Sequence, residues 1–100
     1  MTIRSPFMAD RGGNQSVSGT TTSASVTVRA DAKSVRVVNT GSVVVFVRIG
    51  TSTQTATAAD VPVRGGSDLI LAKGDGEDTV AVITASSTAT VYVQPGEGGQ

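Results

Sequence analysis

Residues 34–50 read SVRVVNTGSVVVFVRIG and contain the clearest structural pattern in the chain. Up to Val37, valine alternates with polar residues, as in a strand with one buried face. The triplet at residues 39–41, Asn-Thr-Gly, predicts a tight hairpin turn. Residues 43–49 are then apolar on both faces, with Phe46 on the second face and Arg48 interrupting it near the end. Such a strand is covered on both sides, so we expect a loop of the same chain or a second subunit over its outer face.

Short segments with the same alternation recur on both sides of this stretch. They begin near residues 24, 61, 68, 79 and 89 and are separated by Gly, Ser, Asn or Asp turns. Val and Thr branch at Cβ, which favours strands over helices. About seven short strands with no helical period predict an all-β fold. We expect a single small β-sandwich, with either a jelly-roll or an immunoglobulin-like Greek-key topology.

The composition restricts the chemistry that the chain can perform. Its 100 residues include no His, no Cys and no Trp. The usual nucleophile–base pairs and the common zinc ligand sets are therefore missing. We expect a protein that is not an enzyme, with no catalytic residues, no cofactor and no metal site. The acidic loop at residues 75–78 is the best place for Ca²⁺, and the sequence leaves a solvated hairpin loop as the alternative.

The charged residues are divided unevenly between the two halves of the chain. Residues 1–50 carry six basic and two acidic side chains, whereas residues 51–100 carry two basic and six acidic ones. The net charge is zero, which argues against binding to nucleic acid. The longest apolar run, residues 43–47, is too short to cross a membrane. Two interpretations stay open: folding mixes the two charge sets, or they form complementary faces between copies.

The first 23 residues show no usable period, although Ile3, Phe7 and Met8 form a small apolar group near the start. Ordering each residue costs about 1–2 kcal/mol, whereas burying each of these side chains contributes only about 1.5–3 kcal/mol. We therefore expect a flexible, extended N-terminal arm at residues 1–23, a β-sandwich domain at residues 24–94 and a flexible tail at residues 95–100. The arm would stay mobile or lie on a neighbouring molecule.

Four segments occur in a characteristic order between residues 30 and 98. They are residues 34–50, residues 58–63 (AADVPV), residues 66–68 (GSD) and residues 90–98 (TVYVQPGEG). Together they resemble the small proteins of tailed bacteriophages that decorate or cement the capsid. The resemblance implies a small β-sandwich or jelly roll that sits as a homo-oligomer at junctions between capsomers. It also implies binding to the major capsid protein, without nucleic acid or membrane, on the surface of a virion assembled in the bacterial host cytoplasm.

The expected interface combines the arm with the doubly apolar strand. We predict that its contact residues are Ile3, Phe7, Met8, Val44, Phe46 and Arg48. An oligomer that touches several positions of a lattice gains avidity from weak individual contacts. Two other functions stay open: another virion part, such as a head–tail joining, tail or fibre component, and a carbohydrate- or surface-binding module that uses Tyr92 for stacking.

Overall fold

A computed structural model of the chain describes residues 8–9, 13–52, 54–74 and 76–97. Within them the chain forms nine β-strands and no helix. The strands are β1 Met8–Ala9, β2 Gln15–Gly19, β3 Ala24–Thr27, β4 Ser34–Asn39, β5 Val45–Gly50, β6 Val61–Val63, β7 Asp68–Ala72, β8 Thr79–Thr84 and β9 Ala89–Glu97. The seven strands predicted from residue 24 onward are β3 to β9, so the predicted all-β class is confirmed.

The strands form two antiparallel sheets that pack as a β-sandwich. In the first sheet β9 lies next to β4, and β4 next to β7, while β1 and β2 both pair with β9. Because β4 pairs with residues 91–96 of β9, β1 and β2 share the opposite side of that strand. The second sheet has the order β3-β8-β5-β6. Most consecutive strands therefore lie in different sheets.

The core between the sheets consists almost entirely of valine. Alternate positions of the strands face inward, because successive side chains of a strand point to opposite faces of the sheet. The valines that are at most 2% exposed are Val35, Val37, Val45, Val47, Val63, Val80, Val82, Val91 and Val93. Burying each contributes about 1.5–3 kcal/mol, so a core without buried aromatic rings still supports a domain of this size.

At both ends of the chain, the strands of the sandwich extend beyond the expected domain boundaries at residues 24 and 94. Strands β1 and β2 lie within the predicted flexible arm, yet both pair with β9. The expectation failed because it counted side-chain burial alone, whereas β9 supplies backbone hydrogen bonds to the Ser- and Gly-containing β2. Strand β9 also continues to Glu97, past the expected start of the tail at residue 95. Ile3 and Phe7 lie outside the described residues.

Pro95 lies inside β9, although a residue without an N–H group is unusual within a sheet. The hydrogen bond from Thr40 N to Thr90 O (3.0 Å) shows that the even-numbered residues of β9 bond to β4. The nitrogen of Pro95 therefore faces the side of β1 and β2. On that side β2 pairs with β9 only as far as Val93, and the pairing of β1 with β9 starts at Gly96. Pro95 lies between these two paired segments, so its missing N–H group removes no hydrogen bond from the pairing of β9 with β1 or with β2.

The Asn-Thr-Gly triplet at residues 39–41 is not the predicted hairpin. It carries the chain from β4 in the first sheet to β5 in the second. Gly41 is not among the described residues with positive φ. A Cβ atom at this position would lie 2.5 Å from Ala89 Cβ. The glycine is therefore required by the close approach of two backbones at a corner of the sandwich.

Folding mixes the two charge sets within one chain. Three surface ion pairs of the described residues join a basic side chain of the first half to an acidic side chain of the second: Arg29–Glu97 (3.0 Å), Arg36–Asp68 (2.9 Å) and Arg48–Asp60 (3.0 Å). This is the first of the two interpretations that the sequence left open. The Arg29–Glu97 and Arg36–Asp68 pairs are exposed on both sides and contribute about 1 kcal/mol or less each.

Candidate interaction surfaces

The doubly apolar segment becomes β5, and its own chain covers part of its outer face. Phe46 and Arg48 point outward, away from the core valines. In the connection from β5 to β6, Ala56 N donates to Ser23 Oγ (2.9 Å) beside β3. Since β8 lies between β5 and β3 in the second sheet, the connection passes over β8. Ala81, opposite Arg48 on β8, is completely buried. A loop of the same chain therefore provides cover on this side, as in one of the two arrangements expected from the sequence.

What remains accessible on this face is a narrow strip along β5. Phe46 is half-buried and lies between Ile83 of β8 and Pro62 of β6. Arg48 is exposed, and its Nε donates to Asp60 Oδ1 (3.0 Å). The strip therefore consists of one aromatic ring beside one ion pair. Its chemistry suits contact with another protein, but its area is small.

The predicted contact residues that the structure describes lie in different elements. Val44 is exposed in the turn before β5. Met8 lies in β1, where its backbone pairs with Glu97 in the first sheet. Phe46 and Arg48 belong to β5 of the second sheet, whereas Met8 belongs to β1 of the first sheet.

Asp60 makes the stability of this region depend on pH. Partial burial raises the pKa of Asp60, but hydrogen bonds from Thr57 N and the Arg48 guanidinium lower it, and the net result is a pKa below the ordinary aspartate value. A lowered carboxyl pKa stabilises the fold above the ordinary pKa, and this stabilisation is lost as the pH falls through the folded-state value. We expect Asp60→Asn to reduce the free energy of unfolding by about 1 kcal/mol or less at pH 7.

Urea unfolding at neutral pH and well below the ordinary carboxyl pKa tests this prediction. The difference between the Asp60→Asn variant and the natural chain should shrink in acid, because the carboxyl is then protonated. Asp31→Asn, at an exposed turn, is the matched control. An equal loss of stability for Asp60→Asn at both pH values would contradict the prediction.

A second surface, the Tyr92 face, lies on the outside of the first sheet. It consists of Tyr92 and Gln94 of β9, Arg36 and Val38 of β4, and Asp68 and Ile70 of β7. Tyr92 is 37% exposed. The Arg36 guanidinium donates to Asp68 Oδ2 (2.9 Å) and to Gln94 Oε1 (3.2 Å), so it lies across three strands. The sequence drew attention to Tyr92 alone, because the other residues are brought to it only by the register of the sheet.

A third surface, the open edge, is the side of the sandwich formed by β6 and β7. Residues 64–67 connect these two strands, and each has one neighbouring strand. Val61 and Leu69 occupy core-facing positions, opposite Val47 and Val37. They are nevertheless 40% and 37% exposed. The alternation of apolar residues gives no sign of this exposure, and Pro62, which lacks an N–H donor, is the sequence feature that indicates an edge at residues 61–63.

The carboxylates of the acidic loop bind backbone groups near them. Gly74 N donates to Glu77 Oε1 (2.6 Å), and Ser52 N donates to Asp78 Oδ1 (3.0 Å). The hydrogen bond from Ser52 N is the main cause of a lowered pKa at Asp78. Among the described residues, which leave out residue 75, no three acidic side chains come together as a metal-binding group.

Comparison with known proteins does not assign the chain to a family. No model of a known protein family matches it, and no curated protein matches it. Within the described ranges there is no helix of the length and apolar character needed to span a membrane. The function is therefore inferred from the three surfaces and from the sequence.

Proposed function

We propose that the chain is a non-enzymatic structural protein of a tailed-bacteriophage virion that binds and stabilises the capsid shell as an oligomer. The open edge is the observation that carries this proposal. Val61 and Leu69 face the core but remain 40% and 37% exposed, although soluble proteins usually protect such edges. A protein that works as one of many copies in a surface lattice can leave this edge for a neighbour to cover. The resemblance of residues 30–98 to capsid decoration proteins supports a shell as the lattice.

The strand order supports a jelly-roll topology for the sandwich. When β2 to β9 are counted as eight strands, one sheet contains the first, eighth, third and sixth strands, and the other contains the second, seventh, fourth and fifth. Two Greek keys in a jelly roll give this order, and the fold is common in viral capsid and lectin domains. An immunoglobulin-like sandwich places its first two strands in the same sheet. The fold alone does not define a function.

The polar groups of the described surfaces favour a contact role over catalysis. Three arginines are held in ion pairs with Asp60, Asp68 and Glu97. Glu77 accepts a hydrogen bond from Gly74 N, and Asp78 accepts one from Ser52 N. These carboxylates are therefore engaged in local structure, and the chain has no imidazole or thiol to act beside them. This arrangement supports a rigid module that acts by binding.

Binding to phage capsids tests the proposed function directly. Purified capsids of the phage that encodes the chain, stripped of accessory proteins, should bind it at a fixed ratio to the major capsid protein. Binding should also make the shell more resistant to heat. Electron microscopy should show label over the whole shell, whereas label at one vertex or on the tail would indicate another virion part. Absence of binding would contradict the proposal.

The contribution of the N-terminal residues can be measured in the same assay. We expect the double substitution Ile3→Ser and Phe7→Ser to weaken capsid binding about tenfold or more, because two apolar contacts are lost. Circular dichroism and urea unfolding of the double variant check that the fold is kept. Ser5→Ala is the matched control. A deletion of residues 1–20 is unsuitable, because it removes β2 from the sheet. Unchanged binding by the double variant would exclude these two residues from the interface.

The Tyr92 face favours carbohydrate binding as a second candidate function. An exposed tyrosine ring lies beside Arg36, Asp68 and Gln94, whose hydrogen-bonding groups are held at fixed positions. A ring of this kind can stack on the apolar face of a sugar. Binding on a glycan array that is lost in Tyr92→Ala but kept in Thr90→Ala would support this candidate. An array without signal would contradict it.

A further inference from the structure

We propose that two copies of this chain associate through the open edge, by antiparallel pairing of β7 with β7 of the second copy about a two-fold axis. The proposed function requires an oligomer, and this dimer is the contact that we assign to it. The dimer depends on the proposed function in no other way. It can be measured without a capsid, so the two can fail separately.

The backbone of β7 has a free side with evenly spaced hydrogen-bonding groups. Asn39 N donates to Ser67 O (2.9 Å) and Lys73 N donates to Lys33 O (2.9 Å), so the odd-numbered residues of this segment bond to β4. The N–H and C=O groups of Asp68, Ile70 and Ala72 consequently point away from β4. In the described part of the chain, β7 pairs with no other strand. An unpaired row of this kind is a template for another strand.

The other outer strands carry features that discourage pairing, whereas β7 does not. Pro62 interrupts the donors of β6. Strands β2 and β3 alternate with serine or threonine at their exposed positions. Strand β7 instead has three consecutive large aliphatic residues, at positions 69–71, and its one charged residue lies at its first position. The open edge is therefore the side of the sandwich best suited to strand pairing.

In Asp68, Ile70 and Ala72 the backbone groups point to the free edge of β7. One antiparallel register pairs all three of these residues with the same residues of a second copy. In it, Ile70 lies opposite Ile70, and Asp68 lies opposite Ala72 of the second copy. Each of the three pairs exchanges two backbone hydrogen bonds. In other antiparallel registers, at least one of these three residues has no partner within the strand of the second copy. A parallel arrangement would bring the two Asp68 carboxylates side by side. The strand is thus complementary to itself in hydrogen bonding, and this register keeps the two Asp68 carboxylates apart.

The same axis also covers the exposed core residues. A two-fold axis perpendicular to the first sheet brings Leu69 of one copy next to Leu71 of the other on the core-facing side. The edges of β6, which carry Val61, come together in the second layer. A five-residue strand edge gives an interface at the small end of the specific range. We therefore expect a dissociation constant in the micromolar range, which multiple contacts on a lattice would strengthen.

Sedimentation of the full chain from micromolar to millimolar concentration tests the association. We expect a reversible monomer–dimer equilibrium. Ile70→Lys places two like charges opposite each other on the axis, so it should weaken the dimer about tenfold or more. The side chain of residue 70 points outward, so the fold should be kept, and circular dichroism checks this. Ser16→Lys, at the opposite edge of the same sheet, should leave the equilibrium unchanged.

Cross-linking tests the register, because the natural chain has no cysteine. Residues opposite each other in a hydrogen-bonded pair have Cα atoms about 5.5 Å apart, within the range that a disulfide bridges. Ile70→Cys should cross-link with itself on oxidation. Asp68→Cys and Ala72→Cys should cross-link when mixed and neither should do so alone. Self-linking of either of these two variants would overturn the register.

A chain that stays monomeric at millimolar concentration would overturn the inference, and so would a dimer that persists in Ile70→Lys. Monomeric chain that still binds capsids would leave the proposed function intact. A dimer that does not bind capsids would support the inference and contradict the proposed function. Protection of the β7 amides from hydrogen exchange only on the capsid would show that a capsid strand occupies this edge, and would also overturn the inference.

Discussion

Replacing Asn39 by aspartate should strongly destabilise the folded chain at neutral pH. Asn39 is completely buried at the corner between the sheets. Its Nδ2 donates to Val43 O (2.8 Å) and Val63 O (3.0 Å), and its Oδ1 accepts from Gly41 N (3.0 Å). Aspartate has the same shape but places a carboxylate oxygen against two carbonyl oxygens. A buried unpaired charge costs several kcal/mol, so we expect a loss of about 4 kcal/mol or more from a typical total of about 5–15 kcal/mol.

Unfolding curves of Asn39→Asp at several pH values provide the measurement. Burial raises the pKa of a carboxyl at this site, so the gap between variant and natural chain should narrow as the pH falls through the raised value. It should be smallest below the ordinary carboxyl pKa of about 3.9, where the protonated acid can again donate. Asn14→Asp, at an exposed position, should change stability by about 0.5 kcal/mol or less. An Asn39→Asp variant as stable as the natural chain at pH 7 would show that the three hydrogen bonds have little weight.

Replacing Lys73 by methionine is expected to have the second-largest effect. The side chain is buried, and Nζ donates to Ala30 O (2.6 Å), Glu77 O (2.5 Å) and Gly74 O (3.2 Å). The ammonium group thus joins the β3–β4 connection to the β7–β8 connection. Methionine fills similar space but cannot donate a hydrogen bond. Ala30 O and Gly74 O keep backbone donors in this variant, Gly76 N (3.1 Å) and Glu77 N (3.1 Å). Because an acceptor that loses its donor costs about 1–3 kcal/mol, and Glu77 O is the carbonyl most affected, we expect a loss of about 2–3 kcal/mol.

Urea unfolding and hydrogen exchange together test the role of Lys73. Exchange should increase first at Gly76 N, which donates to Ala30 O (3.1 Å) in the same cluster. Arg64→Met, at an exposed position between β6 and β7, is the matched control. If the two methionine variants lose the same small amount of stability, the convergence of three carbonyl groups on Lys73 has no energetic importance.

The candidate surfaces were predictable only in part. The alternation in residues 43–49 placed Phe46 and Arg48 on the same face, and both point outward from β5. It did not show that the following connection would cover part of that face. Val61 and Leu69 look like core residues in sequence, and their exposure follows only from the position of β6 and β7 at an edge. The partner of Arg36 was equally hidden, because Asp68 lies 32 residues away.

The sequence by itself determined the all-β class, the positions of β3 to β9, the valine core and the lack of imidazole and thiol chemistry. These properties are local, since a period of two and branching at Cβ act within each strand. The tertiary structure alone decided which strands pair, that β1 and β2 join β9, where the edge stays open, and which polar groups meet at Asn39 and Lys73. Alternation shows which side of a strand is apolar but carries no information about the neighbouring strand, which long-range backbone pairing selects.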